Sequence, residues 1–257
     1  MISGVSTTTL SQIYKQQTSD YTKVLETIAG GKKFNKPSDD FVAYTRTRSE
    51  ESAMKGYERI GEDLVKAKEA GTLASSVGNS AFERLSELKE LAKNYATASD
   101  ADKEILQAKF DAAKQAISDS FTNNTYEKTA ITAANVVSVQ IDPNQPSSKM
   151  TLNLSAVNPS TDLTALDITD ADTIDTALTS VAKYTATAEG FNASVDRQMT
   201  INQNIMAAKE NTISAVRDID DIAAIGKATA LEIRQQASIS MIAQANVSQT
   251  SLIRLFS

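Results

Sequence analysis

Hydrophobic positions recur at helical spacing over most of the chain, and one stretch in the middle breaks the pattern. The spacing predicts a first helix from about Thr8 to Ala29, with Leu10, Tyr14, Gln17, Tyr21, Val24 and Ile28 on one stripe. Gly30 and Gly31 end it, since glycine tolerates the left-handed backbone found past helix C-termini. Lys32 to Asp40 then reads as a basic turn in which Pro37, Ser38, Asp39 and Asp40 cap the next helix.

The second helix carries an unbroken heptad from Tyr57 to Tyr95. Its a positions are Tyr57, Leu64, Gly71, Gly78, Leu85 and Ala92; its d positions are Ile60, Ala67, Ala74, Ala81, Leu88 and Tyr95. None of these is charged, while Lys, Glu and Asp crowd the other faces, as an apolar seam demands. The two seam glycines each cost about 1 kcal/mol of helix propensity, so a close approach of another helix is expected there. A third helix, about Asp100 to Phe121, places Leu106, Phe110, Ala113, Ile117 and Phe121 on one face, with Ser99 as its cap.

Residues 135–170 lose the helical period. Val136 to Ile141 and Met150 to Leu154 alternate, and the turn-rich Asp142 to Ser148 lies between, which predicts a small β-hairpin. Helix returns at about Asp172 with Ile174, Leu178, Val181, Ala188, Phe191 and Val195, continuing near Ile201, Ile205 and Ala208. A last helix beyond Gly226 carries Leu231, Ile239, Ile242, Leu252, Leu255 and Phe256. The expected fold is mainly α: a long antiparallel helical bundle or coiled-coil rod with paired N- and C-terminal helices and a small β-hairpin insert. Residues 1–38 with 219–257 form the expected terminal-helix domain. Residues 39–218 form the bundle, whose core takes in Tyr57, Ile60, Leu64, Leu85, Leu88, Tyr95, Leu106, Phe110 and Ile117.

Composition removes most chemistry. Among 257 residues there is no Cys, no His and no Trp, and only 9 Gly. Thiolate nucleophiles, imidazole acid–base chemistry and structural zinc are thereby excluded. Gly30-Gly31-Lys32 lacks the earlier glycine of a phosphate loop, because Glu26 stands there. No cofactor and no enzymatic activity are expected; an exported enzyme or carbohydrate-binding protein using the β insert is a reading that no sequence feature supports. A net charge of −6 argues against nucleic acid. The first residues show no basic n-region or apolar run, so no cleavable signal peptide is expected. Gln235 to Ile253 is 19 residues without a charge, but ten are Gln, Asn, Ser or Thr, which argues against a membrane span. An amphipathic helix with an uncharged polar face suits packing against copies of itself. Two such terminal helices are marginal alone and should order on assembly. Contacts between different surfaces of identical copies build open helical filaments.

The C-terminal residues carry a resemblance. Glu232 to Asn246, ending Ala243-Gln-Ala-Asn246, with the apolar finish Leu252, Leu255 and Phe256, resembles the end of bacterial flagellins. Ala208 to Asp220 is similar to another flagellin stretch, as are Ile28 to Asp40 and Phe82 to Leu88. The resemblance implies a minimal flagellin without large outer domains, secreted and extracellular, and built into the flagellar filament for swimming motility. It implies self-assembly through Leu10, Tyr14, Tyr21, Val24, Ile28, Leu231, Ile239, Ile242, Leu252, Leu255 and Phe256. Implied partners are identical subunits, the flagellar export apparatus, a chaperone for the C-terminal helix, and the filament cap and junction proteins. The Lys36-Pro-Ser-Asp-Asp40 turn looks closer to the hook–filament junction protein, an alternative of the same architecture. Arg84, Leu85, Glu87 and Leu88 match the segment that an animal innate-immune receptor recognises, although Ser86 stands where many flagellins carry Arg. Leu85 and Leu88 are also heptad core positions, which is the simpler account of them.

Overall fold

A computed structural model of the chain describes residues 7–256, with side chains from 9 to 248. The side chains of Leu252, Leu255 and Phe256 therefore lie outside the described residues. The described residues are mainly α. Helices are α1 (Thr7–Gly30), α2 (Phe41–Thr97), α3 (Asp100–Thr122), the short α4 (Ser160–Thr164), α5 (Ala171–Arg217) and α6 (Asp221–Phe256). Strands β1 (Thr125–Tyr126), β2 (Thr129–Ala130), β3 (Val137–Gln140) and β4 (Lys149–Leu152) form two antiparallel hairpins. Two compact units emerge. One comprises residues 1–52 and 208–257, the other residues 53–207. These divisions fall further inside α2 and α5 than the expected boundaries at 38/39 and 218/219. The start of α2 and the end of α5 belong with the first unit because Lys209 bonds Glu50 at 2.8 Å and Arg217 lies 3.7 Å from Glu51.

In the second unit the heptad of α2 forms the core. Eleven of its twelve seam positions are buried and Tyr95 is half-buried. Facing them, α5 contributes Ile174, Ala177, Val181, Tyr184, Ala188, Phe191 and Val195, and α3 contributes Phe110, Ile117 and Phe121. Ser99 caps α3, its Oγ accepting from the Asp102 N–H at 3.4 Å. Tyr184 meets Phe121 edge-on at 5.1 Å and donates its hydroxyl to the Ile131 carbonyl at 3.0 Å. Burial pushes the Tyr184 phenol well above its ordinary range, because ionisation would strand a charge in the core.

The seam glycines admit α5 side chains. A β-carbon on Gly71 would overlap the Asn192 carboxamide, and one on Gly78 would overlap Thr185 Oγ1. Turned so that its nitrogen donates to Lys68 O at 3.3 Å, Asn192 also accepts from Thr72 N–H at 3.2 Å. Ion pairs Lys68–Asp196 (2.7 Å) and Lys89–Asp175 (2.5 Å) flank the same two helices in the same antiparallel sense.

Four features differ from the sequence reading. First, the stripe of α5 does not continue through Ile201, which is exposed; Asn202 turns inward instead, only 3% exposed, and donates to the Tyr57 carbonyl at 2.9 Å. It continues the heptad Ile174, Val181, Ala188, Val195, so register placed a polar residue on the seam. Second, Gly226 does not start the last helix. The break falls at Asp218 to Asp220, where Lys33 N–H donates to Arg217 O at 2.7 Å and Ile219 N–H to Gly31 O at 3.3 Å. These bonds pull the α5 terminus into an extended crossing with the turn after α1, and Asp220 then caps α6 through the Ala223 N–H at 3.1 Å.

Third, a β1–β2 hairpin appears where no strand signal was read. Glu127 (φ 46°) and Lys128 (φ 70°) make its turn, a primed geometry that suits the twist of two strands but lacks its usual Asn-Gly. Finally, the 135–170 insert is β only in part. Val137 pairs Leu152 and Gln140 pairs Lys149, as the alternation predicts, while the rest winds into a 3-10 turn (Ser155–Val157) and α4, where Leu163 is buried. Pro143, in the β3–β4 connection, packs on α2 at Gly56, where a β-carbon would come within 2.7 Å of it.

Candidate assembly surface

The first unit gathers the two chain ends. Leu10 and Val24 of α1 are buried, as are Ala228 and Leu231 of α6, and Tyr14, Tyr21, Ile28 and Ile242 are half-buried. Val24, Ala228 and Leu231 form one small cluster with Tyr21 and Ile28 against it. The turn that joins α1 to α2 is held by its own acids. Gly31 takes φ +63°, the left-handed conformation expected past the helix end. Asp39 Oδ2 accepts from the N–H groups of Asn35 (3.0 Å) and Lys36 (2.9 Å), and Asp40 Oδ1 accepts from Ala43 N–H at 2.9 Å. Those backbone donors hold the Asp39 carboxyl below its ordinary range. Asp218 is likewise lowered, chiefly by the Ser214 hydroxyl at 2.5 Å and then by Arg217.

Between α1 and α6 the packing is mixed rather than purely apolar. Ser238, 1% exposed, donates to Gln17 Oε1 at 2.8 Å, and Gln235 Nε2 is buried without a partner among the described residues. The inward line of α6 is thus Ala228, Leu231, Gln235, Ser238 and Ile242. Ile239, expected on that stripe, stands off it and is 52% exposed, because it lies a fifth of a turn away from the line that α1 covers.

The remainder of α6 mixes exposed apolar residues with mostly uncharged polar ones. Ile222 is 85% exposed, and Ile225, Ile233, Ile239, Met241 and Val247 are also exposed, distributed around the helix rather than along one edge. Only Lys227, Glu232, Arg234 and Arg254 carry charge beyond Gly226. On α1, Ile13 and Leu25 face outward, as do Phe41 and Val42 at the start of α2. One line of this helix is covered in the single chain, and large apolar residues stand exposed off that line.

The four residues of the candidate receptor segment divide. Leu85 and Leu88 are fully buried in the bundle core, whereas Arg84 and Glu87 are exposed. No group of His, Cys, Asp and Glu able to hold a metal ion occurs among the described residues. In the second unit an apolar cavity of about 400 Å³ lies between Ala92, Tyr95 and Ile168, rimmed by Lys89, Lys93 and Lys103. Each of these lysines is paired with a carboxylate, so the cavity offers no free charge to a ligand. No helix among the described residues is long and apolar enough to cross a membrane.

Comparison with known proteins points the same way as the exposed helix. Residues 171–256, spanning α5 and α6, match the bacterial flagellin C-terminal helical region. Flagellin FljK of Caulobacter vibrioides is 22% identical over 249 residues, an overlap covering 93% of this chain and 91% of that protein. Flagellin FljM of the same organism is 21% identical over 250 residues, with the same coverage. The overlaps cover most of each chain, so the likeness extends beyond the C-terminal helical region.

Proposed function

We propose that this chain is a bacterial flagellin and that its parts serve the filament as follows. The family's role is structural: copies of one subunit polymerise into the flagellar filament, outside the cell. We assign residues 1–38 and 219–257 to the inner, polymerising layer, and 39–218 to the bundle around it. The observation that carries this assignment is α6, whose exposed apolar residues surround a helix with one covered line. Cover from neighbouring copies would remove roughly 25 cal/mol of unfavourable hydration for each Å² of apolar surface buried.

Several further parts follow. Leu10, Tyr14, Tyr21, Val24 and Ile28 with Leu231 and Ile242 hold the α1–α6 pair; Ile239, Leu252, Leu255 and Phe256 supply contacts to other copies. An open apolar α6 calls for a chaperone before assembly, and passage through the flagellar export apparatus fits a chain that needs no disulfide. Cap and junction proteins would meet the same surface at the filament ends. The subunit transmits torque by packing alone and has no catalytic role. The hook–filament junction reading rests on the Lys36 to Asp40 turn only, and both relatives compared are named flagellins.

Seeded polymerisation of purified full-length protein, viewed by electron microscopy, tests the assignment. Long tubes of uniform diameter are expected from the whole chain, and none from chains lacking residues 1–30 or 227–257. Normal filaments from either truncated chain would remove the terminal helices from the polymerising layer. Persistent monomers of the whole chain under seeding would transfer the assignment to the junction protein.

A further inference from the structure

Within the first unit, a small cavity of about 170 Å³ opens between the turn after α1, the start of α2 and the end of α5. Lys32, Arg48 and Arg217 contribute three cations to its wall, and Glu51 the single carboxylate. Glu51 is shared between Arg48 at 3.2 Å and Arg217 at 3.7 Å, and Arg217 also meets Asp218 at 3.2 Å outside the cavity wall. Lys32 enters no ion pair among the described residues. In a chain of net charge −6 this is a local excess of positive charge.

Thr47 supplies the second observation. It lines the cavity, is only 4% exposed, and its Oγ1 has no hydrogen-bond partner. Other helical threonines of this chain satisfy the hydroxyl on their own helix: Thr18 bonds Tyr14 O, Thr45 bonds Phe41 O, Thr72 bonds Lys68 O and Thr229 bonds Ile225 O. A buried hydroxyl without a partner is costly, and in native proteins such a group calls for an explanation, a bound ion or water among them. Beside three cations, the group it can serve as a donor is an anion.

We propose that this cavity is an oxyanion site, in which Thr47 Oγ1 and the Lys32, Arg48 and Arg217 cations bind one carboxylate or phosphate-like group. The volume is that of an oxyanion with a few waters, each of which occupies about 30 Å³ in the liquid. Two sources share that chemistry: a free anion, or an acidic side chain of a second copy of this chain.

Titration calorimetry of the dilute full-length monomer with inorganic phosphate, against sodium chloride of equal ionic strength, separates them from each other and from no site. Thr47→Val removes the hydroxyl at constant shape, and Lys32→Gln removes the cation outside any ion pair. A free-anion site gives one-to-one phosphate binding that each variant weakens about tenfold, the worth of a hydrogen bond to a charged group. A site filled by a second copy gives no phosphate binding, but each variant raises the critical concentration for seeded growth about tenfold with helicity unchanged. Phosphate binding indifferent to both variants overturns the proposal, as does no binding together with wild-type growth of both. Growth of the wild type in the same chloride buffer keeps this outcome distinct from failure of the filament reading.

Discussion

Thr185 Oγ1 fills the space on α5 that a side chain at Gly78 of α2 would need. The pair has two companions, Gly71 with Asn192 and Gly61 with Asn202, whose Nδ2 would lie 3.3 Å from a β-carbon. Along α2 the glycines advance by ten and then seven residues; along α5 the polar partners retreat by the same steps. The rest of the α2 seam is apolar at every heptad position, a repeating surface on which a seven-residue slip would still bury apolar groups. Glycine opposite a polar side chain at three places makes one register fit and its neighbours clash.

Gly78→Ala should therefore destabilise the second unit. Alanine gains about 1 kcal/mol of helix propensity, and overpacking costs about 1–3 kcal/mol, so a net loss of about 1 kcal/mol is expected. Gly190→Ala, with open space around it, should instead stabilise by about 0.5–1 kcal/mol. Urea midpoints of the two variants should move in opposite directions, and a shift of the same sign would show that the close approach is not tight.

Asn202→Leu should raise the urea midpoint. Its Oδ1 is buried without a partner, and removing such a group recovers about 1–3 kcal/mol, against about 1 kcal/mol lost with the bond to Tyr57 O. An apolar residue there would leave the seam less particular about register. Since the chain has no cysteine, paired cysteines placed in register and one heptad out can report this. Trapping of the shifted pair should increase in the leucine variant and stay at the wild-type level if Asn202 has no part in register.

Acid should loosen the turn between α1 and α2. The folded Asp39 carboxyl titrates below its unfolded value near 3.9, so its contribution is complete above that value and is lost as pH falls through the folded one. Exchange of the Asn35 and Lys36 amide hydrogens should accelerate across that window, after correction for intrinsic rates. Asp39→Ala, which removes the acceptor, should show fast exchange at every pH and no transition.

Ile233→Asp and Leu231→Asp, two residues apart on α6, should separate folding from assembly. Ile233 is exposed and Leu231 is buried against α1. The first should alter monomer unfolding by no more than about 0.5 kcal/mol while stopping seeded growth. The second should also lower the helicity of the monomer, because a buried unpaired carboxylate breaks the α1–α6 contact. Normal elongation of Ile233→Asp would mean that this part of α6 faces solvent in the filament.

Much of this was legible in the residues. The heptad from Tyr57 to Tyr95, the capped α3 and the pairing of Val137 with Leu152 follow from spacing, since burial of a regular stripe decides them. The seam glycines announced a close approach, though not that Asn192 and Thr185 fill it. Reading stopped where polar residues do the packing. Gln235, Ser238 and Asn202 sit on buried lines yet look like surface in any hydrophobicity pattern, and only the heptad through Val195 pointed to Asn202. Gly226 misled because a glycine is a breaker only where the backbone has other bonds to make, and those bonds lie at Gly31, Lys33 and Arg217. The exposed apolar residues of α6 are interspersed with Gln, Ser and Asn, so spacing alone singled out no one face for contact with other copies.

The crossing that ties Gly31 and Lys33 to Arg217 and Ile219 joins segments nearly two hundred residues apart. It sets a timetable for synthesis. Residues 53–207 include every partner of the bundle core, so that unit can fold while the chain is still being made. Helix α1 emerges first but finds its companion last, after roughly 10–40 s at ordinary elongation rates. For that interval the earliest part of the protein is its least finished part.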